Sequence, residues 1–392
     1  MSLKRLGLSV YLPSLILSFC SGLLLPVLPV FAESFSVSYA LIGLVLAGEA
    51  LGTLIADIPA GILIRRLDRK WVMALGIGLV GLSVIALFWS QTIWEVLLYR
   101  IISGFGAALW NLSRHAYLSE ATNKTNRGRA IALFGGTNRL GGFLGPVVGG
   151  LLAVQFGLRL PFLVFGVLAL ATIPLALVFI EKGQPVVRRV SHYHFLSVLR
   201  EHRHVLVTAG LGQLGAQMVR AARNVLIPLY GSSVGLGLES VGLILSASAF
   251  VDVALFYPAG VIMDKLGRKY AIVPSFTLQA LGLLVIPFAS GFVGLLVAAT
   301  LTGLGNGLSS GTMMTLGSDL APKESLGEFL GVWRLIGDSG FTGGPVIVGV
   351  IADVLALPAA ALVMAVIGLG SAGLFAFGVP ETHPRGAKMR SP

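Results

Sequence analysis

Gln213, Gln217, Arg220 and Asn224 stand four, three and four apart inside an otherwise apolar stretch. On a helix that spacing puts them on one face, where an arginine flanked by amides can hold a polar or anionic solute. Arg100, Gly104, Ala107, Asn111 and Arg114 repeat the alternation, and so do Thr302, Asn306, Ser309 and Met313. Ser14, Ser18, Ser21 and Leu25 form a milder stripe. Such stripes of Ser, Thr and Asn serve equally well as hydrogen-bond glue between helices. An arginine at membrane depth needs water or an acid, so Arg100 and Arg220 favour a wet cavity. Glu49 adds a different chemistry. Burial in a poorly hydrated site raises a carboxylate's pKa towards neutrality, so the group can load and release a proton, whereas a nearby arginine competes by holding it ionised. Glu49 is therefore the first candidate for proton coupling, with Arg100 or Arg220 at comparable depth, and Asp338 is the second.

The elements that must position these groups are read from composition. Hydrophobic residues make up 55% of the chain and charged residues 11%, against about a quarter charged in soluble domains. Twelve apolar runs follow one another, near 8–32, 38–64, 70–90, 94–120, 129–154, 159–181, 205–230, 238–264, 270–290, 292–321, 327–354 and 358–379. Each is long enough to cross a hydrocarbon core as a helix. The expected fold is an all-α membrane protein of twelve transmembrane helices, here called spans one to twelve. The first run is too long for a cleaved signal peptide and eleven more follow it.

The net charge of +11 would fit a nucleic-acid partner, but the positions of the charges argue for topology. Lys4, Arg5, Arg65, Arg66, Lys124, Arg127, Arg188, Arg200, Lys265 and Arg385 all fall on one side of a twelve-span chain, and the short loops of the other side offer Arg159. That bias puts both termini in the cytoplasm of a cell-membrane protein. The lipid bilayer is then the expected partner, with no nucleic acid. Cys20 is the single cysteine, so no intrachain disulfide forms.

Displaced by 199 places, the chain falls on its own motifs: Pro59-Ala60-Gly61 on Pro258-Ala259-Gly260, Gly104 and Gly106 on Gly303 and Gly305, Gly145-Pro146 on Gly344-Pro345 (145 + 199 = 344). Two copies of one hydrophobic module point to a transporter built from repeats. The expected organisation is a six-helix half over 1–181, a cytoplasmic linker over 182–204 and a second half over 205–392. The linker holds His192, His194, His202 and His204, but no cysteine or carboxylate cluster accompanies them, so a membrane-surface helix is favoured over a metal site. No metal or cofactor is expected. Neither a phosphate-binding Gly-x-x-x-x-Gly-Lys-Ser/Thr nor a His-Glu-x-x-His occurs, which leaves no sequence basis for a primary pump, a metalloprotease or another enzyme.

Gly260-Val-Ile-Met-Asp264-Lys-Leu-Gly267-Arg268-Lys269 resembles the loop signature of the major facilitator superfamily. Its glycines suit close helix approach and a tight turn. In the first copy, Gly61 to Arg69-Lys70, Arg65 replaces the acid and Asp68 replaces the second glycine, with Asp57 two turns earlier as a substitute acid. Arg100-Ile-Ile-Ser-Gly104-Phe-Gly106 is similar to a pattern of proton-linked members. Gly141, Gly145, Pro146, Gly149 and Gly150 resemble the drug:proton antiporter signature, although Gly344-Pro345 repeats part of it, as ordinary small-residue packing would. The resemblance covers nearly the whole chain. It implies two six-helix halves, a midplane cavity lined by spans one, four, seven and ten, a monomer, and facing pairs five–eight and two–eleven. Matched depth in those pairs makes Arg139 with Asp252, and Asp57 with Arg334, candidate gating ion pairs, a static role within one half being the alternative. The function implied is proton-coupled export of small amphipathic compounds by alternating access. A carrier of organic anions or other small metabolites is the alternative, favoured by the arginines.

Overall fold

The computed structural model describes residues 7–121, 127–180, 202–322 and 325–383, which form helices and the short turns between them. Eleven helices among the described residues are long and apolar enough to cross a membrane: Gly7–Glu33, Tyr39–Ile64, Arg69–Leu87, Ile93–Leu118, Gly135–Phe156 and Leu160–Phe179 for spans one to six, then Leu238–Lys265, Arg268–Phe288, Phe292–Leu320, Leu326–Leu355 and Leu357–Gly378 for spans eight to twelve. Span seven is the helix Arg203–Ser233, whose polar stripe lowers its apolarity. Large apolar side chains such as Ile58, Tyr257, Phe288 and Phe377 are exposed around the helices, as lipid-facing residues must be. The expected linker falls mostly on 182–201, outside the described residues; His202 packs edge-on against Phe329.

Local chemistry sets the ends of the helices. Thr92 and Glu95 form a capping box at the start of span four: Glu95 accepts from the N–H groups of Gln91 (2.6 Å) and Thr92 (3.2 Å), and the Thr92 hydroxyl accepts from the Glu95 N–H. Asp68 caps span three, accepting from the Lys70 N–H at 3.4 Å. Gly267, its counterpart, has φ +131° and no capping side chain, so span nine takes its cap from elsewhere.

The chain divides into two compact units, Met1–Arg188 with Gly235–Ser246, and Arg189–Val234 with Ala247–Pro392. The first turns of span eight thus group with the first unit. Inside each unit the sequence repeat becomes a repeat of contacts. A Cβ on Gly106 would meet Gly76 O and Val80 N, and one on Gly305 would meet Ser275 O and Gln279 N, each 199 places on. Gly145 sits against Phe19 and Gly22 of span one, and Gly344 against Met218 and Ala221 of span seven. Backbones this close leave no room for a side chain, so small residues at these positions define the scaffold. Buried aromatics fill the second unit, with Phe276, Phe329, Trp333 and Phe375 in one cluster.

Candidate functional site

In the first unit, spans two and four come together through glycine. A Cβ on Gly104 would collide with the Glu49 carbonyl, one on Gly52 with the Ile101 carbonyl, and one on Gly48 would lie 3.0 Å from Arg100 Cβ. The Thr53 hydroxyl fastens the seam, donating to Glu49 O (2.9 Å) and Gly104 O (3.1 Å). This approach brings the Arg100 guanidinium to 2.6 Å from the Glu49 carboxylate, with side-chain exposures of 10% and 37%. The acid thus remains reachable while the arginine is enclosed. Arg114, also buried, lies over the Trp110 ring at 5.6 Å, and Asn111 is half-buried beside it.

In the second unit Arg220 is the centre. It donates to Gln217 Oε1 at 2.9 Å, to the Ser309 carbonyl at 3.2 Å and to the Ser309 hydroxyl, and its guanidinium lies 5.5 Å from the centre of the Phe276 ring. Spans seven and ten therefore meet here through one residue of each polar stripe, Arg220 and Ser309. Asn306 donates to Asp252 at 2.6 Å, and Arg223 reaches the Thr302 carbonyl at 3.5 Å. Gln213 is buried against Gly337, and its Oε1 has no hydrogen-bond partner among the described residues. Asn224 is half-buried.

Other expected residues sit in simpler surroundings. Asp338 pairs with Arg334 one turn earlier at 3.2 Å, both half-exposed. Asp57 and Arg139 are half-buried. At Gly61 and Gly260 no atom of the described residues lies within 4 Å of the place a Cβ would take. Nothing there needs a missing side chain; Gly267 alone of the three makes the tight turn, by its positive φ.

The antiporter-like run is a packing seam in its own unit. Cβ atoms on Gly141, Gly145 and Gly149 would strike the backbone of span one, while one on Gly150 would strike the Leu238 carbonyl. Ser246 completes that seam, its hydroxyl donating to Phe143 O (2.7 Å) and accepting from the Val147 N–H (3.2 Å). Those two backbone groups are ones an unbroken helix pairs directly, and they flank Pro146, which has no N–H to give.

At the basic end of the second unit Arg268 joins Asp264 (3.1 Å), Asp319 (2.9 Å) and the Met263 carbonyl (3.0 Å). Glu381 supplies the cap that Gly267 lacks, accepting from the N–H groups of Arg268 (2.9 Å), Lys269 (3.0 Å) and His383 (2.9 Å). Burial works against the ionised carboxyl, but donation from the backbone N–H groups of His383, Lys269, Arg268 and Thr382 outweighs it and holds Glu381 below the usual carboxylate range. The sequence reading missed Glu381, Asp319, Ser246 and Phe276. Asp319 falls on Glu120 in the 199-place repeat (120 + 199 = 319), the signal that could have pointed to it.

Two repeated helical bundles with ionisable groups at membrane depth define a multi-pass membrane transporter. The Major Facilitator Superfamily model matches residues 10–211 and again 209–391, and the chain belongs to that family. It is 23% identical over 343 residues to the uncharacterized MFS-type transporter MJ1560 of Methanocaldococcus jannaschii, covering 86% of this chain and 88% of that one. It is 28% identical over 295 residues to the uncharacterized MFS-type transporter YfkF of Bacillus subtilis, covering 72% and 75%. Among solved structures, a bacterial homologue of the human lysosomal transporter Spinster matches with a TM-score of 0.77 at 13% identity, over 96% of this chain and 97% of that chain. A POT family transporter in complex with a thioalcohol-conjugated peptide matches at 0.78 and 12%, over 95% of each. At these identities the two structures establish the shared fold.

Proposed function

We propose that the chain is a proton-coupled exporter of small amphipathic compounds, working by alternating access as a monomer in the cell membrane with both termini in the cytoplasm. The observation that carries the reading is the Glu49–Arg100 pair, a carboxylate inside a membrane-spanning helix held at 2.6 Å from an enclosed guanidinium. Protonation of Glu49 neutralises the carboxylate, leaves the Arg100 charge uncompensated and so sets Arg100 free to take another acceptor. A group that changes partner when it changes charge can couple proton entry to rearrangement of spans two and four. Asp338, already engaged by Arg334, has the auxiliary role. The proposed substrate contacts lie on a polar stripe in each unit, Arg100, Asn111 and Arg114 of span four in the first, and Gln213, Gln217, Arg220, Asn224 and Asn306 of spans seven and ten in the second. The test is uptake into liposomes under an imposed pH gradient. Glu49→Gln should abolish the pH-driven component, and transport that follows the gradient unchanged in that variant removes Glu49 from the mechanism.

A second reading is a carrier of organic anions or other small metabolites. It is favoured by the guanidinium that Gln217 and Ser309 hold in place, Arg220 donating to Gln217 Oε1 and to the Ser309 hydroxyl. A panel of cationic, neutral and anionic solutes, with Arg220→Ala as the control, separates the two by whether transport follows substrate charge.

A further inference from the structure

Span ten is two helices. The first, Phe292–Leu308, ends at Ser309; the second, Thr312–Leu320, begins after Gly311, which lies in the left-handed region at φ +74°. Span four, its repeat partner, is one unbroken helix from Ile93 to Ala121, and Leu112 stands where Gly311 does (112 + 199 = 311). Such a break at membrane depth frees carbonyls that an unbroken helix would satisfy itself, so each calls for another partner. The Ser309 carbonyl is the focus. It accepts from the Thr312 N–H at 3.2 Å, from the Thr312 hydroxyl at 2.8 Å and from Arg220 at 3.2 Å. A cation at that point also meets the negative end of the first helix.

The second piece is held at two more points. The Trp333 indole donates to the Met313 carbonyl at 2.9 Å, and a Cβ on Gly317 would press into the same ring at 2.7 Å. At its far end Asp319 takes Arg268 at 2.9 Å and the Thr382 hydroxyl at 2.9 Å. A single short helix therefore runs from Arg220 to the charge cluster of the loop between spans eight and nine. We propose that Thr312–Leu320 is a lever hinged at Ser309–Gly311, and that Arg220 is the positioning residue that sets the hinge. Whatever draws Arg220 away from Ser309 then alters the bend of span ten and the placing of Asp319 against Arg268. This goes beyond the proton-coupling proposal, because it needs neither Glu49 nor a particular substrate.

The bend can be read directly by spin-label distances in the full chain in liposomes. Cys20→Ser clears the background, and labels at Val293→Cys and Ser318→Cys bracket the hinge, about 37 Å apart for 25 residues of continuous helix. With Arg220 present, one narrow distance is expected. Arg220→Ala should broaden or shift it by several ångströms, Arg220→Lys should fall between, and a pair at Trp94→Cys and His115→Cys across unbroken span four should not move. Should Arg220→Ala fail to reach the membrane, Arg220→Gln keeps polar length without the fork and is read for the same outcome. A distance distribution that overlays the parent in the neutral variant overturns the proposal. So does an equal change across span four, which would mean general loosening of the fold.

Discussion

At one place in the repeat the first unit has Glu49 and Arg100, and the second has Ser248 and Ala299 (49 + 199 = 248; 100 + 199 = 299). The backbones around them match. A Cβ on Gly104 would collide with the Glu49 carbonyl, and one on Gly303 with the Ser248 carbonyl. The first unit fills this seam with an ion pair at 2.6 Å; the second fills it with the Ser248 hydroxyl donating to the Ala299 carbonyl at 2.6 Å. The second unit in turn has a broken helix and an arginine where the first has an unbroken one. Scaffold and polar equipment are thus separable. Glycine fixes how closely helices approach in both units, and each unit then places its own charges on that frame.

The strongest test of the shared scaffold is to spoil it in both places. Gly104→Ala and Gly303→Ala each drive a methyl into a backbone carbonyl, and each should cost about 3 kcal/mol or more, seen as loss of folded protein or a much lower melting temperature in detergent. Gly61→Ala and Gly260→Ala meet open space and should change little. Unequal damage at 104 and 303 would break the comparison.

Next, the polar equipment can be exchanged. Glu49→Ser with Arg100→Ala writes the second unit's residues into the first. The double variant should stay within about 1 kcal/mol of the parent, because removing both partners of an ion pair costs far less than removing one. Arg100→Ala alone should cost more, about 2 kcal/mol, the remaining carboxylate being partly solvated. Thermal unfolding of the three variants gives the order.

Gly311→Ala probes the break itself. No atom lies in the way of its methyl, so the expected cost of about 1 kcal/mol comes from the left-handed backbone alone.

The smallest effects concern the two caps. Asp68→Ala and Glu381→Ala should each cost about 1 kcal/mol. Glu381 also carries a pH signature. Its folded carboxyl lies below the ordinary value of 4.5, so its stabilisation is complete above that value and is lost as pH falls through the lowered one. Melting followed down the acid range should show that fall in the parent and less of it in Glu381→Gln.

Among the described residues eleven of the twelve expected spans are helical stretches of membrane length and apolarity, span ten with a break, and span seven is helical as well, because an apolar run in lipid has to satisfy its own backbone. The polar stripes were legible for the same reason: a period near 3.6 puts Gln217 and Arg220 on one face whatever they touch. At Glu49's depth the sequence offers Arg100 or Arg220, either of which would hold the acid ionised, and in the structure Arg100 is the one that pairs with it. Span ten was read as one run over 292–321, since apolarity does not register a break, although Ser309-Ser310-Gly311 carried the turn chemistry for it. Which glycines are crowded and which are open was likewise not readable, and the loop glycines at 61 and 260 proved open.

By itself, then, the amino-acid sequence determined the helical membrane class, the number of spans, the repeat and the faces on which polar residues lie. Those follow from local periodicity and from the solvation of backbone and charge, which act within one element. Only the tertiary structure decided that Glu49 meets Arg100, that Arg220 holds Ser309, and that Glu381 caps a helix more than a hundred residues away. Partners of that kind depend on how closely helices approach and where one of them breaks, and those distances are set by residues far apart in the chain.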